Sequence, residues 1–180
     1  MQADKIILGA LALLATGFLG FTAGKSAAQD ASPALVEEHR LLDAFSGDYT
    51  AEVGGMLGES EGTSRVESTS LGGIWSVQHF ESSLMGQPYT GLEIVGYDPL
   101  KQKYVSVWVD SLTPLLLVME GDYDADSKTL TMKGQSRGMD GEVAEMVNTL
   151  KLGEHGKERW EMNIEGMAAP MMTIDYTRKE

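Results

Sequence analysis

Three short stretches of this 180-residue chain carry side chains able to do chemistry. In "WSVQHFE", strand alternation sets Trp75, Val77, His79 and Glu81 on one face. An imidazole and a carboxylate two apart can share a metal ion or a proton. Zinc takes three or four ligands, however, and no third stands near in sequence, so a packed or surface histidine is the simpler reading. In "KYVSVWVDS", Tyr104, Ser106, Trp108 and Asp110 share a face, with Val105, Val107 and Val109 on the other. A carboxylate beyond two aromatic rings in an apolar lumen has its pKa raised by desolvation, which would make Asp110 a ligand handle or a general acid. The plainer alternative is a strand-end aspartate accepting hydrogen bonds from the next turn. "DYDADSK" spaces Asp122, Asp124 and Asp126 like the start of a calcium loop. Ser127 and Lys133 stand where such a loop needs Gly and Glu, which leaves a hairpin turn. No Ser/His/Asp set, phosphate loop or paired-carboxylate spacing is present. A hydrolase would have only His79 to use, because His39 falls on a helix and His155 in a glycine turn.

The elements that must position these residues are mostly strands. "SPALVEEHRLLDAFSG" has helix signals at both ends: Ser32 as N-cap, Pro33 at the first turn, Glu37 and Glu38 early, and Gly47 past the end. From Asp48 onward the text alternates with period two between Gly, Asp, Asn and Pro punctuation. It predicts about ten strands, at 48–54, 63–70, 74–84, 89–97, 103–110, 115–121, 128–134, 142–152, 158–165 and 171–178. Short turns between them predict an all-β, antiparallel up-and-down meander. Closing it into a barrel removes the unpaired edges that an open sheet of that size would expose. Two apolar faces on one strand are then permitted, one facing the lumen and one covered by the helix. Tyr104, Trp108 and Asp110 are expected to look inward, with Trp75, His79 and Tyr97 as further lumen candidates. A ten-stranded barrel is wide enough for a cavity. The many methionines in the strands would make its wall adaptable, or simply fill the core.

At the N-terminus, Lys5, an uncharged apolar run over 6–24 and "KSAA" before Gln29 predict a signal peptide at 1–28. The alternative is an uncleaved anchor, which would make 6–24 the chain's one membrane contact. Either way the domain is exported, to the periplasm or beyond. Residues 29–38 form a linker and the start of the helix, and 39–180 the barrel domain. A net charge of −13 without Lys/Arg clusters excludes nucleic acid as a partner. With no cysteine the chain has no disulfides or thiol chemistry, so its stability comes from a core.

Five blocks in order, "HRLLDAFSGDYTAEV", "LGGIWSVQHFE", "GLEIVGYDPLKQKYVSVWVDS", "EGDYDADSKTLTMKG" and "MTIDYTRK", resemble the bacterial domain-of-unknown-function family 1579, a lipocalin-like (calycin) group. The resemblance spans roughly 39–179. It implies a lipocalin-like cup and no particular activity. Calycin barrels carry Gly-x-Trp on the first strand and a final-strand Arg or Lys over that Trp. Here the matching residues are Gly47, Tyr49 and Arg178, with Tyr in place of Trp, and Arg178 is expected against Tyr49 as a structural closure. The related nitrobindins hold haem through a late histidine. His155 is the one late histidine here, and a turn between Gly153 and Gly156 is a poor place for an axial ligand, so no cofactor is expected, haem being the alternative.

The expected function is non-catalytic binding of a small, mostly apolar molecule in the lumen. The alternatives are an enzyme of the same architecture using Asp110 or His79 as acid or base, and a solid-core envelope interaction module.

Overall fold

The computed structural model describes residues 35–67, 70–137 and 142–180. The segment expected to direct export, and the Ser32 and Pro33 helix start, lie outside the described residues. Among the described residues, helix α1 (Glu37–Ala44) precedes ten strands: β1 (Gly47–Gly54), β2 (Ser60–Glu67), β3 (Trp75–Leu84), β4 (Gln87–Asp98), β5 (Lys103–Asp110), β6 (Leu117–Asp124), β7 (Thr129–Arg137), β8 (Val143–Leu152), β9 (Lys157–Ile164) and β10 (Met172–Arg178). Each strand pairs antiparallel with the next, and β1 pairs with β10 from Tyr49↔Arg178 to Gly54↔Thr173, so the barrel is closed. Closure leaves no edge strand to recruit another chain. The meander is ordered by local turn chemistry. Asp98 Oδ1 accepts from the backbone N–H of Leu100 and Lys101, and Asp124 Oδ1 from those of Asp126 and Ser127. These backbone bonds hold the Asp124 carboxyl below its usual pKa, and they give "DYDADSK" the role of a turn.

Helix α1 has Val36 at its N-cap, where the sequence placed the helix start at Ser32. Valine has no side-chain acceptor for the first-turn N–H groups, and His39 reaches back instead: its Nδ1 accepts the Val36 backbone N–H at 3.1 Å. The imidazole then packs edge-on to Tyr97, centroids 6.2 Å apart, and the Tyr104 hydroxyl donates to the Glu38 carbonyl at 3.0 Å. Leu42, 1% exposed, joins the apolar wall formed by Tyr104, Met119, Leu130, Met132 and Met146. The helix therefore stoppers one end of the barrel. This corrects the expectation that it covers the outer face of β5. On that face Val105 and Val107 are half-buried by their strand neighbours, and Val109 and Val118 are exposed.

Below the helix, Arg178 closes the barrel. Its guanidinium sits 5.1 Å from the Tyr49 ring centroid, and its Nη2 donates to the Tyr49 hydroxyl and to the Ala44 carbonyl, both at 2.6 Å. Its Nη1 donates to the Ser46 carbonyl, over Gly47, where a Cβ would stand 3.0 Å from that nitrogen. Gly47 also has φ +151°, so both conformation and space favour glycine there. One fork thus satisfies the Ala44 carbonyl at the helix C-terminus and the Ser46 carbonyl just beyond it, complements the helix dipole and ties the helix to the last strand.

The two barrel ends differ in chemistry. At the stoppered end the turns are charged: "DPLKQK", "DADSK" and "GEHGK". At the opposite rim the tips "GMLG" (55–58), "SLTPLL" (111–116) and "GMAAPM" (166–171) expose Met56, Leu116 and Met167, and Met85 is exposed between β3 and β4. Glu59, Asp110 and Glu165 flank these tips, and Arg137 and Glu142 flank the β7–β8 connection.

Candidate functional site

The lumen is the site the fold builds. Its two long walls are the Tyr49, Ala51, Phe80, Tyr89, Ile174 and Tyr176 cluster and the helix-backed cluster opposite. They do not meet everywhere. An inner chamber of about 70 Å³ lies under Leu42 and Phe45 of the stopper, and an outer chamber of about 60 Å³ lies toward the rim between Phe80, Tyr89, Trp108, Leu117, Met162 and Met172. Gln78, Glu93, Asn148, Trp160 and Tyr176 line both chambers. This belt is where the lumen is polar.

The register explains the belt. Gln78 on β3 stands opposite Glu93 on β4, and Glu93 opposite Trp108 on β5, so amide, carboxyl and indole form one row across three strands. The Gln78 amide donates to Ser64 Oγ at 2.8 Å and to the Tyr176 hydroxyl at 3.2 Å. The Asn148 amide has only the Met119 sulfur, 3.2 Å from its Nδ2, and its buried Oδ1 has no partner. Glu93 keeps some accessible surface, and that surface faces the chambers it lines. Enclosure pushes its carboxyl up to about 7, against the opposing pull of a hydrogen bond with Ser106. Glu158, at the foot of the inner chamber, is also raised by burial, but it accepts the Tyr49 hydroxyl at 2.9 Å and has Arg178 at 3.9 Å.

The residues singled out in sequence fall in three places. Trp108 lines the outer chamber, 6.4 Å from the Tyr89 ring, lying across Gly91 where a Cβ would come within 2.1 Å of the indole. Tyr97 and Tyr104 take the inward face but seat the helix and line neither chamber. Asp110 is the strand-end aspartate of the plainer alternative. Its oxygens accept from Trp108 Nε1 at 3.1 Å, from the Leu112 and Thr113 backbone at 2.9 and 2.8 Å, and from the Thr113 hydroxyl at 3.1 Å.

Trp75 and His79 stand on the outside, and this corrects the face assigned to them. β3 turns Ser76, Gln78 and Phe80 inward, leaving His79 exposed and Trp75 lying on Gly96, where a Cβ would approach its ring to 2.4 Å. A one-residue change of phase exchanges every side chain between faces. Among the described residues no group of three metal-ligating side chains is present.

Sequence reasoning missed Gln78, Glu93, Asn148, Trp160 and Tyr176. For Glu93 a signal existed: placing Tyr97 inward also places Val95, Glu93, Gly91 and Tyr89 inward by alternation. Trp160 likewise shares its phase with Met162, and Asn148 with Met146.

Among curated proteins no match is found. A family model described as "Protein of unknown function (DUF1579)" matches residues 35–178, which is nearly all of the described barrel and its helix. The chain belongs to that family, the one its five sequence blocks resemble.

Proposed function

We propose that this protein is an exported, non-catalytic barrel that holds a small, mostly apolar molecule in its lumen. The observation that carries the reading is the pair of chambers meeting at a sparse polar belt, the pattern of a ligand site: apolar wall and a few convergent polar groups. Each chamber is smaller than the cavity of about 150 Å³ that accepts benzene in an engineered core. A one-ring guest would therefore span both, displacing the belt side chains between them. Met132, Met162 and Met172 in the walls are flexible enough to permit that shift. The exposed Met56, Leu116 and Met167 at the rim offer the guest an apolar approach.

Calorimetry with phenethyl alcohol tests the reading. Binding is expected, with quenching or a shift of Trp108 and Trp160 emission. Leu117→Trp, which puts an indole into the outer chamber wall, should weaken binding about tenfold or more, at least about 1.4 kcal/mol. A folded Leu117→Trp variant that binds as the wild type does would place the guest elsewhere, outside the lumen. Export rests on residues 1–28 and has its own test. Protein recovered from the periplasm of an expressing bacterium should begin at Gln29; retention of 1–28 in the membrane fraction would make that segment an anchor.

A further inference from the structure

Of the two carboxylates that line the lumen, one is left without compensation. Neither chamber has a Lys, Arg or His in its lining. Glu158 reaches Arg178, but Glu93 has no cation among the described residues, and the groups facing it are neutral or acidic: the Ser106 hydroxyl, the Gln78 amide, the Tyr176 and Tyr89 phenols, and Glu158 beyond them. A carboxyl walled into an apolar cavity is costly to ionise, and a positive partner is what lowers that cost. In this barrel the partner has to arrive from outside. The Asn148 Oδ1, buried and unpartnered on the same belt, is a second acceptor waiting for a donor. Around the belt stand the rings of Tyr89, Trp108, Trp160 and Tyr176, and aromatic rings are the surroundings that organic cations favour.

We propose that the lumen selects an organic cation, a small apolar body bearing a protonated amine that lies between Glu93 and Asn148, over an anion of the same size. The inference rests on the reading of the lumen as a binding site and names the class of guest. The protein's net charge of −13 acts in the same direction, drawing cations toward the mouth and repelling carboxylates such as fatty acids. Because the guest prefers ionised Glu93, whose carboxyl titrates at about 7, affinity should fall as pH drops below that point, while the neutral guest is indifferent.

Three one-ring probes that differ in their head group decide it: phenethylamine, phenethyl alcohol and hydrocinnamate, titrated into the full chain by calorimetry at about pH 8. The amine should bind about tenfold or more tighter than the alcohol, and the carboxylate weakest. Glu93→Gln keeps the shape of the side chain and should bring the amine to within about threefold of the alcohol, with a cooperative melting transition as the sign of an intact barrel. Equal affinity for amine and alcohol, tighter binding of hydrocinnamate, or an amine preference that survives Glu93→Gln overturns the cation assignment and leaves the lumen reading standing. Failure of all three probes to bind overturns both.

Discussion

Glu93→Gln should melt roughly 6–12 °C higher than the wild type at about pH 8 and lose that advantage near pH 4.5. The sign follows from linkage. The Glu93 carboxyl titrates at about 7 in the folded barrel and near 4.5 when unfolded, so the folded state holds its proton where the unfolded state has released it. Stability is fullest below 4.5, declines as pH rises through the window from 4.5 to 7, and stays lowered above it by about 3 kcal/mol, since each tenfold difference in proton affinity between the two states is worth about 1.4 kcal/mol. Glutamine has no charge to bury and keeps a hydrogen-bonding amide for Ser106, so its melting curve should lack this slope. Differential scanning calorimetry of both proteins across that window measures the effect. Parallel pH dependence in the two would show that Glu93 is solvated through the lumen and that its ionisation costs little. A saturating amine should raise the wild-type melting temperature and barely move the variant's, because only the wild type gains an ion pair.

The second large effect belongs to Gly121→Ala, for which we expect a loss of about 3 kcal/mol or more, at the upper end of overpacking costs. Gly121 is buried in β6 between Tyr104 of β5 and Met132 of β7. A Cβ built there would stand 1.8 Å from the Thr131 carbonyl oxygen and 2.8 Å from Met132 Cα, which are backbone atoms that cannot rotate aside. The neighbouring Gly134 on β7 is crowded the same way by the Val118 carbonyl, so the two strands make their close approach through a pair of glycines. A barrel must coil its strands to close, and glycine kinks are the usual device for doing so. Urea unfolding reads the result as a lower midpoint with an unchanged slope. A Gly121→Ala midpoint matching the wild type within error would mean that β6 and β7 can slide apart at no cost, and that the closure is looser than the register implies.

How legible the site was depended on what distinguishes the two faces of a strand. On β1, Tyr49, Ala51 and Val53 alternate with Asp48, Thr50 and Glu52, so burial followed directly from pattern. On β3 to β5 the outward positions include Trp75, Val77, Leu92, Ile94, Val105 and Val107, while the inward ones include Ser76, Gln78, Glu93 and Ser106. There the usual contrast is inverted, because a wall bordering a cavity keeps small and polar residues where a filled core would have large apolar ones. Choosing the more apolar face of β3 therefore selected the outside, and Trp75 and His79 went with it.

The order of short alternating segments and turn residues by itself determined that this chain is a ten-stranded meander with a leading helix, because strand period and turn chemistry are local properties of a few consecutive residues. The closing pair of Tyr49 and Arg178 was readable only through resemblance, since nothing local joins residues so far apart. Which face of β3 turns inward, that the helix stoppers the end and leaves β5 bare outside, and that Glu93 sits among rings with no cation beside it were decided only when all ten strands closed on one another. Burial and its electrostatic consequences belong to the enclosure, and no single strand carries them.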